Sequence, residues 1–270
     1  MNADKGAGKK VSVVLNILNE ARNIRDLMDS LVTQEPPVEI IVVDAGSWDK
    51  TVEYVTSYVS KYGSYIKLFH HPGTRGESTN FGLRHATGDI ICFIGGDCIA
   101  NPFWLREMRK SLEDGKMVAG RTLNMGYQPF EDMGRIELYR KDSDISYPSC
   151  NMGYRKEVIE AIKEFDPWFI TAEDIDLNLR AVDSGYKIAY NDDMVVYHRT
   201  RGTMWGFVKQ AFWNGYARKQ LTMKHGSLWS NYDPRKMFDR NLEFWGLVRL
   251  VAAFLGYGYA KVNAKLPKKE

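Results

Sequence analysis

The sequence predicts an open α/β fold: a mostly parallel sheet flanked by helices, followed by a helical appendage of different character. Three observations predict it. Short β-branched apolar runs alternate with segments of helical spacing, a pattern that implies right-handed βαβ units. Polar and acidic residues gather where those runs end, which is where open α/β sheets bind ligands. The charge then changes sign: residues 199–270 hold 14 Lys/Arg against 4 Asp/Glu, a net +10, in a 270-residue chain whose total is +3.

Val11–Leu18 reads as the first strand and Glu20–Leu31 as a helix, with Ile24, Leu27, Met28 and Leu31 at helical spacing. Glu39–Val43 is a second buried strand. Asp49–Lys61 reads as a helix with Val52, Val55, Thr56 and Val59 on one side. Tyr65–Phe69 is a third strand, Ser78–His85 a short helix, and Asp89–Ile94 a fourth strand running into an acidic loop. Pro102–Leu112 is expected as helix and Met117–Leu123 as strand. Asn124–Pro148, rich in Gly, Asp and Tyr, is expected as an irregular flap or acceptor-side insertion. Helices over Lys156–Glu164 and Asp174–Val182, then strands over Lys187–Tyr190 and Met194–Tyr197, complete a catalytic domain of residues 11–198. Residues 1–10 and the last six are Lys-rich and read as tails, and no signal peptide is expected before the first strand.

The three cysteines, Cys92, Cys98 and Cys150, are odd in number and lack paired spacing, which argues against a disulfide framework and fits a reducing compartment. A zinc cluster would need more ligands near Cys92 and Cys98, so structural roles are expected.

The strand ends carry the chemistry. The first ends in Asn19–Glu20, the second in Asp44-Ala-Gly-Ser47 followed by Asp49 and Thr51, and the fourth in Gly95-Gly96-Asp97. Three acidic strand ends converging on one crevice repel one another unless a cation or a donor-rich base sits among them. No Gly-x-Gly-x-x-Gly follows the first strand and no Gly-Lys-Ser/Thr occurs, which speaks against dinucleotide and P-loop folds.

In this order the motifs resemble family-2 glycosyltransferases with the GT-A fold. The resemblance rests on a strand ending in Asn-Glu, Val-Asp-x-Gly-Ser-x-Asp-x-Thr, Gly-Asp before a hydrophobic strand, and a short acidic loop. Much later come Phe165-Asp166, Glu173-Asp174-x-Asp176-Leu177, Arg180, Gly185-Tyr186 and His198. It covers roughly residues 11–198. It implies a nucleotide-diphosphate sugar donor, with Asn19, Glu20, Asp44, Ser47, Asn80, Gly96 and Asp97 on the donor side. A divalent cation, Mn²⁺ or Mg²⁺, is implied at Asp97 and His198, where it would offset the diphosphate's charge; an imidazole suits Mn²⁺ better. Arg75 is a candidate diphosphate contact.

The resemblance makes Asp174 the general base that takes the acceptor hydroxyl's proton, with Glu173 beside it to orient the acceptor. Structural readings stand next to these roles. Asp44-x-x-Ser47 precedes a helix and suits a cap, Thr171 with acidic first-turn residues suits another, and His198 suits a backbone-bonded strand end. The chain departs from the family pattern at Gly95, where the first Asp of Asp-x-Asp is usual, and at Ala45, Asn16 and Leu18 on the base and ribose side.

The appendage, residues 199–270, holds four of the seven tryptophans. Trp205–Gln220 has the spacing of an amphipathic helix, read as lying in a membrane interface, with packing on the catalytic domain as the alternative. Phe244–Ala260 carries one charge, Arg249, and is short for a span, so it reads as interfacial or re-entrant. Lys265–Lys269 suits the cytoplasmic side. Basic and aromatic residues also suit nucleic acid, but no nucleic-acid module is recognisable, and aromatics within apolar runs fit lipid. The expectation is an inverting hexosyltransferase on the cytoplasmic face of the cell membrane, acting on a lipid-linked acceptor. The alternative is a catalytically inactive nucleotide-binding membrane scaffold, to which Gly95 lends weight.

Overall fold

The computed structural model describes residues 8–131, 134–200, 202–232 and 243–265. Most of both tails, Arg201 and the side chain of Trp229 lie outside the described residues. The expected alternation is present as β1 (Val11–Ile17), α1 (Ile24–Val32), β2 (Val38–Asp44), α2 (Thr51–Tyr62), β3 (Ile66–His70), α3 (Arg75–Arg84) and β4 (Ile90–Phe93). β1 pairs in parallel with β2 and β4, and β2 with β3. Both sheet faces are covered. Val13, Leu15 and Ile17 pack with Leu27 and Leu31 of α1, while Val14 joins Leu83 and Phe93 on the other side. Each such side chain, fully buried, contributes roughly 1.5–3 kcal/mol. α3 starts three residues earlier than its apolar spacing suggests because Thr74 and Glu77 close a reciprocal capping box.

The second half departs from the expected pattern. After β4 come β5 (Cys98–Ala100), α4 (Trp104–Ser111), β6 (Met117–Met125), α5 (Gln128–Glu131), β7 (Tyr139–Arg140), β8 (Ser143–Asp144) and β9 (Met152–Arg155). Then follow α6 (Lys156–Ile162), α7 (Glu173–Asp183), β10 (Ile188–Arg199), α8 (Met204–His225) and α9 (Phe244–Asn263). The main sheet has eight strands in the order β3-β2-β1-β4-β9-β6-β10-β5. β9, which periodicity did not flag, sits between β4 and β6 and is antiparallel to both. It is four residues long and contains Gly153, against which Met108 packs so closely that a Cβ would lie 2.7 Å from its side chain. The acidic loop is partly a strand, β5, antiparallel to β10 with Cys98 opposite His198. The two strands expected at Lys187–Tyr190 and Met194–Tyr197 are one strand with a register shift between Asn191 and Val195. Asn124–Pro148 is not wholly irregular: it holds α5 and the hairpin β7–β8, whose turn residues Lys141 and Asp142 both have positive φ.

α8 and α9 lie antiparallel in near-contact. A Cβ at Gly215 would fall 1.9 Å from the Ala253 carbonyl, and one at Gly256 would fall 1.9 Å from the Phe212 carbonyl. α8 also docks on α7. Leu221 packs with Leu179 and Val182, and Asp176 of α7, fully buried, accepts from Arg180 (2.9 Å), Lys224 (2.7 Å) and His225 (2.7 Å).

Candidate active site

The C-terminal ends of β1, β2 and β4 open on one cleft of about 1260 Å³. Backbone hydrogen bonds tie the first two ends together. Asn19, at φ 56°, donates its N–H to Ser47 Oγ (2.9 Å), and its Oδ1 accepts from Trp48 N–H (3.0 Å). Glu20 N–H donates to Thr51 Oγ1 (2.7 Å) and Ala21 N–H to Asp49 (3.1 Å). Asp44 accepts from the Gly46 and Ser47 N–H groups and meets His70 Nδ1 at 2.8 Å. Burial alone would raise the Asp44 carboxyl, but the hydrogen bonds from Ser47, His70 and Gly46 outweigh it and hold it below the ordinary carboxylate value. Asp44 is therefore an Asx-type loop brace. It does not cap α2, whose N-cap, Lys50, accepts no side-chain bond. Asn19, Asp44 and Ser47 shape this loop, while Glu20 and Ala45 face the cleft.

Asn80 needs correcting. Its amide donates to the Phe165 carbonyl (2.8 Å), its Oδ1 accepts from the Phe165 N–H (2.9 Å), and it does not line the cleft. It locks α3 to the segment before α7, a structural duty that consumes both ends of its carboxamide.

Asp97 follows the two glycines. A Cβ at Gly96 would lie 2.5 Å from Glu20 Cγ, and one at Gly95 would lie 2.7 Å from Asp97 Oδ1. A side chain at position 95 would therefore meet the Asp97 carboxylate as it lies here. Asp97 Oδ2 lies 3.5 Å from His198 Nε2. The register of β5 on β10 sets this approach, reinforced by Arg199 N–H donating to the Asp97 carbonyl (3.0 Å). His198 Nδ1 meets Asn124 Oδ1 at 3.2 Å, which keeps that nitrogen as the donor and turns Nε2 toward Asp97. All three cysteines are free thiols, and Cys98 donates to Asp97 Oδ1 at 3.6 Å.

The same cleft receives the start of α7. Ala172 precedes the helix at φ 63°, a costly conformation for a residue with a Cβ, and no side chain caps the helix, so the Thr171 cap is absent. Asp174 is half-buried; its carboxylate accepts from Ser149 N–H (3.1 Å) and Ile175 N–H (2.8 Å). Glu173 is buried, and its Oε1 lies 3.4 Å from Arg75 Nη1. Its Oε2 has no hydrogen-bond partner among the described residues. Burial pushes the Glu173 carboxyl up, Arg75 pulls it down, and Asp174 pushes it up again. The field of Glu173, then of Asp174 and Asp97, outweighs burial and raises the Arg75 guanidinium in turn. A second, shallower depression beside Lys156 and Glu160 contains none of these groups except Asn80.

Among the cleft residues that the sequence reading did not place there are Arg121 on β6, Arg135 in the flap, Asn214 and Arg218 on α8, and Arg249 on α9. The signal was present in part. Gln210, Asn214 and Arg218 form a polar stripe at four-residue spacing, and Arg249 is the one charge between Phe244 and Ala260.

Residues 12–163 match the family model described as glycosyl transferase family 2. The chain is 27% identical over 208 residues to glycosyltransferase AglE of Haloferax volcanii, spanning 71% of this chain and 67% of that protein. It is 28% identical over 238 residues to the pre-mycofactocin glycosyltransferase of Mycobacterium tuberculosis, spanning 80% of this chain but 48% of that protein. It is 22% identical over 238 residues to a dolichyl N-acetyl-alpha-D-glucosaminyl phosphate glucuronosyltransferase of Methanococcus voltae, spanning 79% and 74% of the two chains. Among solved structures, the fold is similar to the mannosyltransferase PcManGT of Pyrobaculum calidifontis in complex with GDP-Man and Mn²⁺. That likeness has a TM-score of 0.65 at 17% identity and covers 97% of this chain and 78% of that one. It is also similar to S. aureus TarS 1–349 with UDP-GlcNAc, with a TM-score of 0.63 at 18% identity over 90% and 79% of the chains.

Proposed function

Since the chain belongs to glycosyl transferase family 2 and has its α/β fold, we propose that it is an inverting, metal-assisted hexosyltransferase that uses a nucleotide-diphosphate sugar and a lipid-linked acceptor. One observation carries this reading: Asp97, His198, Arg75, Glu173 and Asp174 line a single cleft at the strand ends. The donor lies along the β1, β2 and β4 ends, with Glu20 toward the ribose and Gly96 allowing close approach. Arg75 meets the diphosphate. Asp174, held by two backbone N–H groups, takes the proton of the attacking hydroxyl. Glu173 offers its partnerless oxygen to a sugar hydroxyl.

Asp97 and His198 fit a divalent cation, with a carboxylate and an imidazole 3.5 Å apart and Asn124 behind the ring. Among the described residues no group of three or more His, Cys, Asp or Glu stands ready as a cage. These two donors would hold the ion together with the diphosphate's own oxygens. The ion would supply charge neutralisation for the leaving group.

The surface of α9 supports membrane attachment, which this reading puts on the cytoplasmic face. α9 buries Gly246, Ala252, Gly256 and Ala260 and exposes Phe244, Leu247, Val251, Phe254, Leu255 and Val262 by half or more. Among the described residues no helix is long and apolar enough to cross a membrane, so the fit is to an interface. Liposome flotation at low salt tests it: a chain that stays unbound to anionic vesicles defeats the membrane reading.

A thermal-shift panel of nucleoside diphosphates with and without Mn²⁺ tests the donor site. We expect a metal-dependent rise in Tm that Asp97→Ala removes, together with sugar transfer. Binding without any transfer or donor hydrolysis would instead favour the inactive scaffold.

A further inference from the structure

The cleft is electrically divided. Where the strand ends and α7 form it, Glu20, Asp97, Glu173 and Asp174 face Arg75. Where the flap, β6, α8 and α9 form it, Arg121, Arg135, Arg218 and Arg249 face Glu131 and Glu137. A divalent cation and Arg75 would meet a donor diphosphate, and four guanidiniums against two carboxylates along this second stretch suit a further anion.

Helix register sets two of these arginines at the same level. In the antiparallel pair Gly215 meets Ala253 and Phe212 meets Gly256, which sets Arg218 and Arg249 at the same level, about one turn from the contact. Both are half-buried and both line the cleft. Arg249 Nη1 donates to the Gly134 carbonyl at 3.0 Å, and the next residue is Arg135. Arg135 stacks on Tyr147, 4.0 Å from its ring centre, and pairs with Asp144. Arg218 Nη1 donates to the Tyr232 hydroxyl at 3.0 Å. These side chains are held in place by their neighbours, which lowers the entropy lost when an anion binds. Arg249 is also the one charge between Phe244 and Ala260, and it lies on the cleft side of a helix that otherwise exposes large apolar residues. A charge within an apolar helix is costly and normally serves a polar ligand or pathway.

We infer that Arg218 and Arg249, with Arg135 beside them, form a subsite for a phosphate or diphosphate on the acceptor itself, between the hydroxyl that faces Asp174 and the acceptor's apolar chain. This rests on the lipid-linked reading above and deepens it. Guanidiniums recognise phosphate oxygens through paired N–H donors. The apolar chain attached to such a phosphate leaves the cleft along α9, whose outward side chains are apolar. The acceptor that this subsite fits is an anionic lipid carrying that phosphate, rather than a neutral glycolipid.

The full chain and its Arg218→Gln, Arg249→Gln and Arg249→Lys variants test this, with thermal unfolding verifying that each is folded. The probes are farnesyl diphosphate for a lipid phosphate, inorganic diphosphate for a free anion, and UDP and GDP with Mn²⁺ for the donor site, all by calorimetry. We expect farnesyl diphosphate to bind, to lose about tenfold or more in affinity with either Gln substitution, and to be partly rescued in Arg249→Lys. UDP or GDP affinity should change less than twofold. An equal loss of nucleoside diphosphate binding would assign the arginines to the donor and overturn the inference. Unchanged farnesyl diphosphate affinity in folded variants would overturn it too, as would inorganic diphosphate binding equally well in competition with the nucleotide. Flotation is scored separately. Vesicle binding without farnesyl diphosphate binding sinks this subsite and spares the membrane reading; the converse does the reverse.

Discussion

Helices α1 and α9 bury opposite kinds of side chain. α1 buries Ile24, Leu27, Met28 and Leu31 and shows Arg25, Asp26 and Asp29 to solvent. α9 buries Gly246, Ala252, Gly256 and Ala260 and keeps Phe254, Leu255 and Val262 outside. Exclusion of water from large side chains holds the first in place. The second is held by close backbone approach through small residues, the packing that helices use where water supplies no drive. One chain therefore combines a donor region stabilised for water with a helical pair whose outer surface suits an apolar neighbour. The cleft lies where they meet, and Asp176 pins α8 to the helix that carries Asp174.

The largest expected effect separates chemistry from both scaffolds. Asp174→Asn keeps the side chain's shape and one of its two backbone bonds, since Ser149 N–H and Ile175 N–H go to different oxygens, but cannot take a proton. We expect turnover to fall ~10²–10⁴-fold, with nucleoside diphosphate affinity and vesicle binding unchanged. If turnover holds, Asp174 is not the base. Asp176 would not inherit the role, because it is fully buried and saturated by Arg180, Lys224 and His225; Glu173 would.

Next comes the joint between the regions. Asp176→Asn takes the fully buried counter-charge from half-buried Arg180 and Lys224, the second of which keeps Asp166, and we expect a loss of up to about 3–5 kcal/mol by urea denaturation. If instead stability is unchanged, α8 and α7 are held together by Leu221 and its apolar neighbours alone.

The acid limb of stability reads the same joint more gently. Burial would raise the Asp176 carboxyl, but His225, Arg180 and Lys224 outweigh it and hold it at about 2, against ~3.9 in an unfolded chain. The folded value is depressed, so its contribution is complete above pH ~4 and fades as pH falls toward 2, a loss of roughly 2 kcal/mol. Glu39, also held at about 2 by Ser12, Thr87 and Lys10 against its burial, adds to the same window. Urea midpoints between pH 6 and 3 should fall in the native protein and fall less in Asp176→Asn. Equal slopes would acquit the network.

What the sequence made legible follows this division. Strands β1 to β4 and their helices show in periodicity because each buries one regular face, whereas Asp97, Asp174 and Glu173 were singled out through the resemblance to the family's ordered motifs, and all three line one cleft. β9 and β5 did not show, since strands of four and three residues buried by neighbours leave no period to count. Asn80 was misread because its partner, Phe165, is 85 residues away. Arg218 and Arg249 were unreadable as a pair because the contact between Gly215 and Ala253 alone brings them level. α9 carried its apolar character openly, but the identity of its buried face required the packing.

The smallest effect is expected where a large residue matters most for attachment. Leu27 and Phe254 are both large apolar side chains on helices, the first with no exposed surface and the second 62% exposed. Leu27→Ala should cost about 2–5 kcal/mol, because it opens a cavity under the sheet that neighbours fill only in part. Phe254→Ser should change stability by no more than about 0.5 kcal/mol, the usual range for a surface position with no buried contact to lose. Vesicle flotation should rank the two in reverse: Leu27→Ala, assayed below its melting temperature, should float like the native chain, whereas Phe254→Ser should float less. High salt should weaken the charge-driven part of that binding and leave the aromatic part. If Phe254→Ser destabilises the chain as much as Leu27→Ala does, the outer face of α9 is covered by protein in solution. The contrast between the two helices would then be one of partners rather than of solvent.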